Sequence, residues 1–156
     1  MLDDRRYRLI IADDEETICD FLADFINEEQ ADFQVVGKFE DGQKAWDYIR
    51  ENRVDCVITD IRMPNMSGLE LAQRIHEEKR KIKVLLLSGY SEFEYARKGI
   101  EYGVLDYLLK PIDYMKLLNK LAYVKSLLDE STQPQNADER LDSCETEEAT
   151  EVVIER

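Results

Sequence analysis

Several residues able to do chemistry stand directly after short apolar runs of this sequence. Asp13-Asp14 follow Arg8–Ala12, Asp60 follows Val54–Thr59, Ser88-Gly89 follow Lys83–Leu87, and Lys110-Pro111 follow Val104–Leu109. If those runs are neighbouring strands, one edge of a sheet collects three carboxylates, a hydroxyl and an ammonium. Carboxylates so collected repel: at an effective dielectric of about 20, one pair roughly 4 Å apart costs about 4 kcal/mol. The site is stable if a cation fills it, if carboxylates take up protons, or if Lys110 neutralises part of it. Hard oxygen ligands, few of them from protein, fit Mg²⁺, which keeps several waters and often contacts a phosphate. A carboxylate can also attack phosphorus to give an acyl phosphate. Positioning and neutralisation of the equatorial oxygens then fall to Mg²⁺, Ser88 and Lys110. Taken singly, each residue has a structural reading: a helix cap for Asp13-Asp14, a loop start for Asp60, a turn for Ser88-Gly89, a strand exit for Lys110-Pro111. Their coincidence on one edge favours the site.

The elements that must position them alternate. Strands are predicted at Arg8–Ala12, Phe33–Phe39, Val54–Thr59, Lys83–Leu87 and Val104–Leu109. Helices are predicted at Glu16–Glu28, Gly42–Arg50, Gly68–Glu78, Glu92–Tyr102 and Tyr114–Leu128, each with apolar residues at helical spacing. In the first helix Ile18, Phe21, Leu22, Phe25 and Ile26 form the expected inward face. Five strands each followed by a helix imply an α/β fold, a doubly wound five-stranded parallel sheet with helices on both faces. In such sheets ligands sit outside the carboxyl ends of the strands, at the switch in strand order.

Composition narrows the function. Hydrophobic residues make up 44% of the 156 residues, enough for a core. No run approaches the roughly 20 apolar residues that span a bilayer, and the start of the chain does not read as a secretory signal. Cys19, Cys56 and Cys144 are odd in number and widely spaced, which favours reduced thiols in a cytoplasmic setting over zinc or disulfides. The net charge of −14 argues against direct nucleic-acid binding by this chain. Eight of those net negative charges fall in 129–156, a polar, Pro-containing stretch. Residues 1–129 are therefore read as the folded domain and 130–156 as an acidic linker or disordered tail.

Four segments, Leu9–Glu15, Ile58–Glu70, Leu86–Tyr90 and Asp106–Pro111, resemble the receiver domains of two-component response regulators, over about residues 7 to 128 in order and without a gap. The resemblance implies a flavodoxin-like fold and a Mg²⁺-dependent switch phosphorylated on Asp60 by a sensor histidine kinase. It implies Mg²⁺ held by Asp13, Asp14 and Asp60 with the backbone carbonyl of Arg62. Ser88 corresponds to the switch hydroxyl, Tyr107 to the switch aromatic, and Lys110 to the lysine that pairs with the phosphoryl group. Pro111 implies a cis peptide after Lys110. Ser88–Ala96, with the residues around Arg62, is similar to receivers joined to AraC-type DNA-binding domains, which makes transcription the expected output. No helix-turn-helix follows, so a stand-alone receiver and a piece of a longer regulator both remain open. Ser67 stands where many members carry Asp, and either residue caps a helix.

Two other functions compete. A haloacid-dehalogenase-like phosphatase needs a second Asp two residues after the nucleophile, where this chain has Arg62. A binding module of the same fold that is never phosphorylated would not need the acidic pair, Asp60, Ser88 and Lys110 together. The chain is accordingly read as a signalling domain, not an enzyme. His76, flanked by charges, is expected in solvent and Cys56 in the core. Phe93, Tyr95, Tyr102 and Tyr114 are either a partner surface or ordinary packing. Arg62 and Tyr90 are expected where water would approach a phosphoryl group. Homodimerisation on phosphorylation, through a face made by Glu92–Tyr102, Val104–Leu109 and Tyr114–Leu128, is the expected readout.

Overall fold

The computed structural model describes residues 6–89 and 93–131. In chain order these form β1 (Tyr7–Ala12), α1 (Glu16–Glu29), β2 (Phe33–Phe39), α2 (Gly42–Glu51), β3 (Cys56–Asp60), α3 (Gly68–Glu77), β4 (Lys83–Ser88), α4 (Phe93–Gly99), β5 (Asp106–Leu109) and α5 (Tyr114–Ser131). The five strands make one parallel sheet in the order β2-β1-β3-β4-β5. Strand β1 therefore has β2 on one side and β3 on the other, and the direction of winding reverses between β1 and β3. The fold is the doubly wound α/β sheet that the sequence implies.

Burial follows position in the sheet. Leu9–Ala12, Cys56–Asp60 and Val84–Ser88, in the three inner strands, are buried at every residue. Edge strands β2 and β5 are mostly half-buried. Alternate strand residues, Ile10, Ala12, Val57, Val84 and Leu86, join Ala45, Trp46 and Ile49 of α2 and Leu71, Ala72 and Ile75 of α3 in one cluster. Right-handed crossovers place α2, α3 and α4 on that face and α1 on the other, where Tyr114 at the start of α5 packs against Phe25 of α1.

Some boundaries move. The third strand begins at Cys56, not Val54, because Asp55 is committed to the start of β1: its Oδ2 accepts the Arg8 N–H at 2.8 Å, and its own N–H donates to Arg8 O. The fifth strand begins at Asp106, not Val104. The predicted helix Glu92–Tyr102 is α4 followed by a 3-10 turn, Ile100–Tyr102, closed by Gly103 at φ 78°; residue 92 lies outside the described residues. In α1, Phe21 is 68% exposed rather than inward, and Cys19, Leu22, Ala23 and Ile26 form the buried stripe.

The chain divides into two units, Met1–Ala122 and Tyr123–Arg156. The first carries the sheet and the residues at its carboxyl edge. The described part of the second, 123–131, is the continuation of α5, with Lys125 and Asp129 paired at 2.6 Å. Among the described residues no helix is long and apolar enough to cross a membrane.

Candidate functional site

The winding reverses between β1 and β3, and the chemistry-bearing residues stand at the carboxyl edge of the sheet around that reversal. Asp13 leaves β1 and is 1% exposed; Asp60 ends β3 and is 7% exposed; Ser88 ends β4 fully buried; Lys110 follows β5. Carboxylate oxygens of Asp13, Asp14 and Asp60 all lie within 4.8 Å of one another, with Asp14 on the exposed side. The Lys110 Nζ stands 3.0 Å from Asp13 Oδ2, 3.4 Å from Asp60 Oδ2 and 3.7 Å from Glu15 Oε1.

Each buried carboxylate is fixed by one oxygen. Asp13 Oδ1 accepts the Glu15 N–H, and Asp60 Oδ1 accepts the Ile61 N–H, both at 2.8 Å. The other oxygen of each faces Lys110. Asp13 Oδ2 is within ion-pair range of Nζ, yet among the described residues this buried atom has no partner of hydrogen-bond geometry. Burial raises the Asp13 carboxyl above its ordinary range, against the lowering effects of the Glu15 N–H and Lys110. Asp60 is pushed up to about 6, first by burial and then by the charge of Asp13, with Lys110 and the Ile61 N–H opposing. For Lys110 burial works downward, but Asp13 and Asp60 outweigh it and hold the ammonium protonated.

These observations describe an excess of negative charge that one ammonium does not cancel. An orphaned buried carboxylate oxygen beside two further oxygens is what a hard divalent cation accepts. The donor set, all oxygen with none from His or Cys, fits Mg²⁺ and not a softer metal.

The neighbouring residues are less uniform. Ser88 Oγ donates to Gly89 O at 3.0 Å. Tyr107 is half-buried and packs against the α2–α3 side of the core. The Arg62 side chain is exposed and its guanidinium lies over the ring of Tyr95 on α4, 5.1 Å from the centroid. The Lys110–Pro111 peptide is cis. Tyr90 lies outside the described residues. Of the aromatic set, Tyr95 and Tyr114 are partly exposed, Tyr102 packs on the core, and the side chain of Phe93 lies outside the described residues. His76 is exposed and Cys56 fully buried. Ser67 caps α3, its Oγ accepting the Glu70 N–H while Glu70 returns a bond to the Ser67 N–H.

A family model of the response regulator receiver domain matches residues 9–122. The chain belongs to the response-regulator receiver family. Among relatives of this receiver, an uncharacterised transcriptional regulatory protein, YesN, of Bacillus subtilis (strain 168) is 37% identical over 115 residues, which are 74% of this chain and 31% of that protein. The transcriptional regulatory protein HptR of Staphylococcus aureus is 37% identical over 130 residues, 81% of this chain and 50% of that protein. The solved receiver domain of AraT, a response regulator from Geobacillus stearothermophilus, superposes with a TM-score of 0.76 at 35% identity, covering 81% of this chain and 98% of that one. The receiver thus spans half or less of the length of these curated relatives.

One residue at the receiver's site escaped the reading of strand ends. Glu15 directly follows the acidic pair and caps the start of α1 through its backbone, so its carboxylate reaches Lys110. Its signal in the sequence is only adjacency to Asp13-Asp14.

Proposed function

We propose that this receiver accepts a phosphoryl group on Asp60 from a phosphohistidine of a sensor kinase and passes the change to an output. The observation that carries the reading is the lysine of the β5 end standing 3.4 Å from Asp60 Oδ2 while the Ile61 N–H holds Oδ1. With Oδ1 held by Ile61, Oδ2 is the free nucleophile. It attacks phosphorus, an O–P bond forms, and the donor's N–P bond breaks with its electron pair returning to the imidazole. Ionisation of Asp60 near 6 leaves it nucleophilic at neutral pH. Asp13, Asp14 and Asp60, with the backbone carbonyl of Arg62, are the residues to hold Mg²⁺. Bound there, the ion supplies positive charge to the phosphoryl oxygens. Lys110 pairs with the phosphoryl group on the opposite side, exchanging its bond to Asp60 Oδ2 for one to the new anion.

The switch follows from the same parts. Phosphorylation adds about −1.5 to −2 charges with strong acceptor oxygens. Ser88 turns from Gly89 O to the phosphoryl group, and Tyr107 moves into the space it leaves. The face made by α4, β5 and α5 changes, and homodimerisation through it is the expected readout. Transcription control through a longer regulator is the output suggested by the names of the relatives, with the receiver and its kinase meeting in the cytoplasm and no nucleic acid bound by this chain itself.

The test is labelling by a small-molecule phosphodonor with and without Mg²⁺, in wild type and Asp60→Asn. A stable, Mg²⁺-dependent, single-site modification lost in Asp60→Asn supports the reading. Continuous turnover of phosphate esters points instead to a phosphatase, and no reaction to a binding module.

A further inference from the structure

The segment from Asp60 to Gly68 leaves the site and enters α3. It is pinned at both ends: Ile61 N–H donates to Asp60 Oδ1, and Gly68 N–H donates to Ile61 O, each at 2.8 Å. At its middle Asn65 adopts φ 67°, a left-handed backbone that persists in a non-glycine residue where its surroundings hold it.

The hold comes from the loop before α2. Asp41 is 4% exposed, and a carboxylate so deep requires partners for both oxygens. Oδ1 accepts the Lys44 N–H at 2.8 Å and so caps α2. A cap needs no more than that. Oδ2 accepts from the Asn65 side-chain amide at 3.0 Å, across 24 residues of sequence. The adjacent Gly42 N–H donates to Met66 O at 3.0 Å, and a Cβ on Gly42 would lie 2.1 Å from that oxygen. Only a glycine lets the two loops approach this closely.

We propose that Asp41 is a positioning residue for the site: through Asn65 it fixes the segment leaving Asp60, and with it the Arg62 carbonyl and the aim of the Asp60 carboxylate. The proposal rests on the reading above in so far as that carbonyl and carboxylate hold Mg²⁺. Outer partners of metal ligands contribute to affinity by orienting them.

Asp41→Ser keeps a capping oxygen for α2 but not the bond to Asn65. Asn65→Gly keeps the left-handed backbone but not the amide. The experiment measures Mg²⁺ affinity, from the tyrosine and tryptophan fluorescence change on titration, for wild type, both single variants and the double variant, well below melting. It also measures hydrogen exchange at Ile61 and Gly68 in metal-free protein. Each single variant is expected to bind Mg²⁺ about tenfold more weakly, at the low end for an outer partner. The double variant should be no weaker than the singles, because both changes remove one bond. Exchange at Ile61 and Gly68 should accelerate in all three. A general loss of stability would not make the affinity losses non-additive. Wild-type affinity and exchange in both single variants overturn the proposal, and so do losses that add. If the wild type itself binds no Mg²⁺, the metal reading falls, and the exchange data alone decide whether Asp41 holds the segment.

Discussion

At Asp60 the two carboxylate oxygens have separate tasks, one tied to Ile61 and one open to Lys110. Asp60→Asn keeps an acceptor for the Ile61 N–H but replaces the nucleophile with an amide. It should fold and take up no acyl phosphate, as intact-mass measurement after phosphodonor treatment would show; equal uptake would remove Asp60 from its role. Ser88 carries a different prediction. Its hydroxyl is bonded to Gly89 O, so it must exchange one partner for another to reach a phosphoryl group. A hydrogen bond to a charged group contributes about 1.5–3 kcal/mol, whereas moving a population from 1:99 to 99:1 requires about 5.5 kcal/mol. Ser88→Ala should therefore remain phosphorylatable yet show weaker amide shifts across residues 93–114 with a phosphoryl mimic. Equal shifts in wild type and variant would show that the hydroxyl does not couple site to surface. The residue types were legible because Asp, Ser and Lys directly after apolar runs are conspicuous. Glu15, Asp41 and Asn65 were not, since each resembles an ordinary loop or cap residue until its partner is seen.

Among the elements, the junction of β3 and α3 is the most exacting. A Cβ on Gly68 would lie 2.0 Å from Asp60 O, backbone that has no room to yield. Gly68→Ala should cost about 3 kcal/mol, in the range of an overpacked core, and displace Asp60; the urea midpoint and phosphodonor uptake should both fall. Ser67→Ala, which removes the capping box at the same junction, should cost only about 1 kcal/mol and leave uptake intact. The order of elements followed from periodicity alone. Their phase did not always: Phe21 fits an inward face by hydrophobicity, but Cys19 and Ala23 complete the buried stripe with Leu22 and Ile26. Small residues such as Cys19 and Ala23 are buried there, and a pattern built on large apolar side chains passes over them.

For the whole molecule, the buried acidic site predicts a dependence of stability on pH and on added Mg²⁺. Asp60 titrates near 6 when folded against an ordinary value of 3.8, so between these the folded state holds the extra proton. Its contribution is fully present below about pH 4 and lost as pH rises through about 6; Asp13, also raised, acts in the same direction. Metal-free Asp60→Asn should therefore melt above wild type at pH 7.5 and close to it at pH 4.5. The stabilisation by Mg²⁺ should grow between pH 5 and 7.5, because protons and cation compete for the same oxygens. A Mg²⁺ increment independent of pH would show that the ion binds elsewhere.

By itself the sequence determined the alternation of strands and helices, the parallel sheet, and the types of residue at each strand end, because hydrophobic period and strand-end position are local properties of the chain. The tertiary structure decided the rest. The strand order β2-β1-β3-β4-β5 puts Asp13 beside Asp60 rather than at opposite edges. Lys110 stands 3.0 Å from Asp13 Oδ2 and 3.4 Å from Asp60 Oδ2, so one ammonium sits between two buried carboxylates. Asp41 reaches Asn65 across two loops. Each of these depends on distances between residues remote in the chain, which are fixed only when the crossovers close and the sheet is packed.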